Sequence, residues 1–193
     1  MEAQESVDLG PKKSNVWVYE ERLPSELCDR IVKEFSSKEL HQAAVGTENI
    51  INTNVRNVKT VDVPRSHWVN GIPMYYGFDA NEDNFLYNVS NVAFTEFFEY
   101  NQGMFYKPHI DVNPHLGHPA HNRKLTVITQ LSDGDQYEGG DLQIFTSSLE
   151  PVTVTRKKGS IIVFNSSLIH QVTEITSGSR NVLASWIIGP PFS

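Results

Sequence analysis

Seven short β-rich runs follow one another after Ala93: "FTEFFEY", "KLTVITQL", "GDLQIFT", "EPVTVTR", "GSIIVFN", "HQVTEI" and "RNVLASWII". Each is bounded by Gly, Asn, Asp, Ser or Pro. Strands at such spacing bury one face each by closing into a sandwich or barrel, and that architecture is expected for the C-terminal half.

Upstream the pattern changes. Residues 1–14 are polar, punctuated by Gly10 and Pro11 and without periodicity, as expected of a flexible tail. "NVWVYEE" reads as a short strand. "LPSELCDRIVKEFSSK" spaces Leu27, Ile31 and Phe35 four apart after a Pro24-Ser25 start signal, which predicts an amphipathic helix. From 41 to 63 the pattern is short and strand-like, and within 66–92 a second helix is expected around Glu82–Val89. A length of 193 residues then suggests a single domain over 15–193, mainly β with N-terminal helices, the helical layer packed on one sheet.

The net charge is −7, and no run of Lys or Arg exceeds "RKK" at 156–158, so the basic footprint of a nucleic-acid partner is missing. No stretch is apolar enough to suggest a membrane span. The single cysteine, Cys28, cannot form an intramolecular disulfide, and "MEAQESVDLGPKKSN" lacks an apolar leader core, which together point to a cytoplasmic, reducing setting. Among apolar helix positions, Cys28 reads as a packing residue rather than a nucleophile.

The first chemical signal lies in "YNQGMFYKPHIDVN", Tyr100 to Asn113. On a strand, residues i and i+2 point the same way, about 6–7 Å apart, so His109 and Asp111 can both reach one ion. An H-x-D alone is weak, since a half-buried His bonded to a carboxylate gives the same pattern. Further on, His170 follows an apolar strand, and Arg180 opens the run "NVLASWII", where a guanidinium needs an anion unless its head reaches solvent. Two His and one carboxylate form the facial triad of non-haem Fe(II) oxygenases, which leaves coordination positions open. A dicarboxylate chelating such an ion needs a cation at its far end, and an Arg fork suits it. The triad "NPHLGHPAH" (His115, His118, His121) is no zinc site by this reading: Pro114, Gly117 and Pro119 deny it a helical face. The loop 113–122 remains a candidate lid. "GGDL" at 139–142 lacks the context of a phosphate loop.

These residues resemble the Fe(II)- and 2-oxoglutarate-dependent dioxygenases, specifically the prolyl 4-hydroxylase-like branch, over about Ala93 to Pro190. The family's order of elements is matched by Tyr100, Gly103, Tyr106, His109, Asp111, Arg123, Thr126, "GGDL", Lys158-Gly159, His170, Arg180 and Trp186. The resemblance implies a double-stranded β-helix, a distorted jelly roll. It implies Fe(II) on His109, Asp111 and His170, with 2-oxoglutarate and O2 as co-substrates and ascorbate as a reductant. Arg180 would hold the distal carboxylate of 2-oxoglutarate, with the Tyr100 hydroxyl as a second donor. Many collagen-type members have Lys at the position of Arg180, while other branches use Arg; the Ser or Thr often found two residues after that Arg is Val182 here, so a further donor must come from elsewhere, and Gln130 is the candidate.

The activity so implied is hydroxylation coupled to oxidative decarboxylation of 2-oxoglutarate. Asp111 argues against the related halogenases, which lack that carboxylate. Tyr106, Arg123 and Trp186 match the residues with which prolyl hydroxylases line the entry to the metal, implying a prolyl residue in a peptide or protein. An aromatic face stacks on a pyrrolidine ring while an Arg donates to a backbone carbonyl. The plain alternative is that Tyr106 and Trp186 are core aromatics of a sandwich. Also open are a small-molecule hydroxylase acting on a free amino acid such as proline, a metal-binding jelly-roll module without catalysis, and a structural jelly roll. The acidic surface favours basic or neutral peptides.

Overall fold

A computed structural model describes residues 14–45, 50–112, 122–146 and 150–190. The expected tail and lid, with His115, His118 and His121, lie outside the described residues except for Ser14 and Asn122. In chain order the elements are β1 (Val16–Tyr19), α1 (Ser25–Ser36), β2 (His41–Gln42), β3 (Arg56–Asn57), β4 (Lys59–Asp62), α2 (Gly71–Ala80), β5 (Asn91–Asn101), β6 (Phe105–His109), β7 (Arg123–Gln130), β8 (Tyr137–Gly139), β9 (Leu142–Phe145), β10 (Val152–Thr153), β11 (Ile161–Asn165), β12 (Ile169–Val172) and β13 (Ile175–Ile188).

Two antiparallel sheets result. The larger runs β1-β11-β7-β13-β5-β4-β2, with β8 also paired to β13; the smaller runs β10-β9-β12-β6-β3. Strand alternation sorts the larger sheet's side chains into two cores. Phe97, Leu125, Val127, Ile161, Val163, Leu183 and Ile187 face the helices, where they meet Cys28, Ile31 and Phe35 of α1 and Ala80 of α2. The residues one position away, including Phe98, Tyr100, Ile128, Ile162, Phe164, Val182, Ala184 and Trp186, face the smaller sheet's Leu142, Ile144 and Val172. The helical layer on one sheet and the antiparallel sandwich agree with the sequence expectation.

α1 follows its pattern: it starts after Pro24, carries Glu26 in the first turn and Lys33 in the last, and buries Cys28, Ile31 and Phe35 on one face. The second helix is a correction. It spans Gly71–Ala80 and gives way to a wider turn over Asn81–Phe85 that ends at Leu86 in the left-handed region (φ 55°), so Glu82–Val89 is not helical as a unit. The segment "GIPMYYGFDA" hides its helix behind two glycines and a proline. Pro73 sits in the first turn, where no intrahelical N–H is required. Gly77 lies against the sheet, where a Cβ would stand 2.2 Å from Ile187 Cδ1. Close packing on β13 therefore outweighs the low helix propensity of Gly.

Candidate active site

The even-numbered face of β13 carries Arg180, Val182, Ala184 and Trp186 into the space between the sheets, opposite His170 of β12. Tyr100 pairs with Arg180 across β5 and β13, and Thr126 with Trp186 across β7 and β13. Together they line a cavity of about 430 Å³, part of it open to solvent.

At one end of it the two histidines face each other. His109, the last residue of β6, is the register partner of His170. Each ring is oriented through its Nδ1, which approaches a backbone carbonyl: Lys107 O at 2.8 Å for His109 and Leu168 O at 2.9 Å for His170. A carbonyl can only accept, so both Nδ1 atoms carry a proton, and in the neutral tautomer Nε2 is the nitrogen left with a lone pair. Asp111 lies two residues beyond β6, where the strand has ended, so simple strand alternation does not place it. Its backbone N–H donates to Ser166 O (2.9 Å), and Thr126 Oγ1 donates to its Oδ2 (2.7 Å), so the carboxylate is tied to the larger sheet. The carboxylate stands 3.6 Å from His109 Nε2 and 3.4 Å from His170 Nε2. The ligand atoms of the three residues lie within 4.8 Å of one another, a spacing that one ion can span.

Electrostatics keep this set ready for a cation. Burial, then the neighbouring His170, pushes His109 down to about 4, so it is neutral at pH 7. Burial alone would raise Asp111, but the two histidines, Arg123 and the Thr126 hydroxyl bring it down to about 2, and it stays anionic. A neutral His beside an anionic Asp is the protonation state that a divalent ion requires.

At the other end stands Arg180, 3% exposed. Its Nε donates to Gln130 Oε1 (3.1 Å), and its Nη1 is buried without a hydrogen-bond partner among the described residues. No carboxylate lies within ion-pairing distance of it among the described residues, so a buried cation faces the cavity unneutralised. Such a group is costly unless an anion reaches it. Tyr100 is buried beside it, the Arg180 guanidinium carbon 5.7 Å from the ring centre. Gln130 lies outside the cavity lining. Its amide nitrogen is spent on Tyr137 Oη and Ser132 O, both at 3.0 Å, so it offers the cavity no donor.

Tyr106 and Trp186 both line the cavity. The Tyr106 ring stacks on His109, centroids 3.5 Å apart. Arg123 sits behind Trp186, its guanidinium carbon 4.3 Å from that ring, and its Nη1 donates to the Asp111 carbonyl (3.3 Å). One charged residue of the cavity has no counterpart in the sequence reading. Arg56 of β3 lies 4.9 Å from the rings of both Phe98 and Tyr106 and 3.8 Å from Glu96, a carboxyl that burial pushes up. The chain crosses from the smaller sheet at β3 to the larger at β4 around Val58, so no single alternation pattern reveals which way Arg56 points.

Residues 95–188 match the sequence profile of the 2OG-Fe(II) oxygenase superfamily. Over this stretch, just under half of its length, the chain is similar to that superfamily. Among curated relatives, a PKHD-type hydroxylase of Synechococcus sp. (strain CC9311) is 35% identical over 82 residues, covering 42% of this chain and 36% of the relative. Another, from Cupriavidus pinatubonensis, is 32% identical over 102 residues, 50% and 44% of the respective chains. The chain thus matches less than half the length of these relatives. In fold it is similar to a Pseudomonas putida prolyl-4-hydroxylase, with a TM-score of 0.73, 18% identity and coverage of 90% of this chain and 92% of that one. It is also similar to a viral collagen prolyl hydroxylase of Paramecium Bursaria Chlorella virus-1, with a TM-score of 0.68, 18% identity and 92% and 97% coverage.

The superfamily's cofactors are Fe(II) and 2-oxoglutarate, used with O2. The residues present fit both. Two imidazoles and a carboxylate suit a divalent iron, and the unneutralised Arg180 suits a dicarboxylate.

Proposed function

We propose that this protein is an Fe(II)- and 2-oxoglutarate-dependent hydroxylase whose substrate is a prolyl residue in a peptide or protein. The observation that carries the reading is the sharing of one cavity by His109, Asp111 and His170 with a buried, unneutralised Arg180. When bound, Fe(II) supplies the redox chemistry by which O2, 2-oxoglutarate and a substrate C–H become succinate, CO2 and a C–OH. The chain's own residues do the rest. The Lys107 and Leu168 carbonyls hold the histidines in the ligating tautomer, and Thr126 steadies the carboxylate. Arg180, with Tyr100 beside it, receives the distal carboxylate and so sets which way the co-substrate lies.

The prolyl assignment rests on the substrate end. Trp186 and Tyr106 line the cavity with aromatic surface, and the Trp186 Nε1 hydrogen has no partner among the described residues, so an acceptor such as a backbone carbonyl would be welcome there. Two of the fold neighbours are prolyl hydroxylases, and a third, a prolyl hydroxylase from Trichoplax adhaerens, is in complex with a peptide fragment of hypoxia inducible factor. The test is to incubate the protein anaerobically with Fe(II) and 2-oxoglutarate, admit O2 with proline-rich peptides or free L-proline, and follow succinate and peptide mass. Peptides should gain one oxygen per succinate formed. If free proline alone stimulates succinate, the substrate is a small molecule. If neither does and Trp186→Ala leaves turnover of another substrate intact, the prolyl reading fails and the hydroxylase class remains.

A further inference from the structure

Arg180 is not held by the cavity alone. Behind it a chain of buried polar groups runs away from the site, from Arg180 Nε to Gln130 Oε1 (3.1 Å) and from Gln130 Nε2 to Tyr137 Oη and Ser132 O (both 3.0 Å). The amide orientation is forced, because the Ser132 carbonyl can only accept, so the nitrogen lies on that side and the oxygen meets the guanidinium. Gln130 is 1% exposed and Tyr137 4%, so water does not compete for these bonds. Tyr137 is itself braced: Arg156 lies over its ring at 4.2 Å and bonds its carbonyl and that of Gly134, with Asp141 3.4 Å from the same guanidinium.

Two consequences follow from the residue type. Gln130 is neutral, so it satisfies the buried Nε–H without neutralising the charge; a carboxylate there would form an ion pair and occupy the cation. Occupying Nε also removes the side of the fork from use, leaving an incoming anion the Nη end, where Nη1 has no partner among the described residues. We propose that Gln130 is a positioning residue for the co-substrate: it fixes the plane of the Arg180 guanidinium through Nε and keeps its charge free for the distal carboxylate. This rests on the reading of Arg180 as the partner of 2-oxoglutarate.

The test compares two ligands on the Fe(II)-loaded protein under anaerobic conditions, 2-oxoglutarate and 2-oxobutanoate, the second lacking the distal carboxylate. Affinities are read by calorimetry and by the visible charge-transfer band of the chelate. Gln130→Leu should weaken 2-oxoglutarate about tenfold, the loss of one charge-assisted bond, and leave 2-oxobutanoate within about twofold. In turnover the same variant should raise the KM for 2-oxoglutarate more than it lowers kcat. Gln130→Glu, by pairing with Arg180, should weaken 2-oxoglutarate at least as much, with the same sparing of 2-oxobutanoate. Unchanged 2-oxoglutarate affinity in either folded variant, or equal loss of both ligands, overturns the proposal. If the Leu variant does not fold, the Glu variant decides by the same criterion. Failure of the underlying reading looks different: wild-type protein would then bind 2-oxoglutarate no better than 2-oxobutanoate.

Discussion

Single atoms decide the chemistry of this site. Asp111 is the one anion of the triad, so Asp111→Ala should abolish iron-dependent succinate formation and tight Fe(II) binding, measured by turnover and by metal retained after gel filtration. Retained hydroxylation would remove Asp111 from the triad. Arg180→Ala should raise the concentration of 2-oxoglutarate required by at least about tenfold while changing the iron requirement little, because the lost contact is to the distal carboxylate. His109 gives a pH signature in the chelator-treated protein. Its folded-state value near 4 lies below the ordinary value near 6.5, so on acidification the unfolded chain takes up the proton first. Stability should therefore be full above about pH 7 and fall by about 3 kcal/mol between pH 6.5 and 4. Asp111, depressed to about 2, adds a further loss below pH 4, since its contribution is present above its unfolded value and disappears as pH falls through the folded one. Urea midpoints across this range measure the effect, and His109→Gln should flatten the upper part of the curve.

At the scale of elements, the site depends on how closely helices and turns approach the sheets. Ala has the better helix propensity than Gly by about 1 kcal/mol, yet Gly77→Ala should destabilise, because overpacking Ile187 costs about 1–3 kcal/mol. Shortening the opposing side chain by Ile187→Val in the same protein should recover part of the loss. A net gain in stability from Gly77→Ala alone would show that the helix shifts freely on β13. Gly139 poses a stricter demand: its φ is +68°, and a Cβ would fall 1.9 Å from the Glu174 carbonyl oxygen, which is backbone and cannot swing aside. The "GGDL" turn thus serves the pairing of β8 with β13, the strand that carries Arg180. α1 holds the single cysteine fully buried, with its thiol pushed up to about 11 by burial, so native protein at pH 8 should resist thiol reagents until it is unfolded.

In the whole molecule, a cation on the triad and a co-substrate reaching Arg180 would bridge two sheets, since both histidines come from the smaller one and the carboxylate and Arg180 are held by the larger. Ligands that bind only the native state stabilise it, by about 2.7 kcal/mol at a hundred times Kd. Fe(II) or Mn(II) with 2-oxoglutarate should accordingly raise the Tm by roughly 5–10 °C over chelator-treated protein, and Asp111→Ala should erase the shift. Much of this was legible beforehand, and the reason is periodicity. Alternating apolar residues after Ala93 specify strands because one face of each must be buried, and the 3.6 repeat of Leu27, Ile31 and Phe35 specifies α1 for the same reason. The residue types His109, Asp111, His170 and Arg180 raised the expectation of a cation and an anion held together, and the structure brings all four to one cavity. What alternation cannot express was left to the tertiary structure. The helix at Gly71–Ala80 is decided by the sheet beneath Gly77, Arg56 by a strand that changes sheets, and Asp111 by a hydrogen bond from Thr126 after its strand has ended. Gln130 reads in sequence as one more polar residue at a strand end; only long-range packing gives its amide to Tyr137 and Ser132 and turns its oxygen to Arg180. Local pattern reports which face is buried, whereas the partner met on that face is set by residues fifty or more positions away.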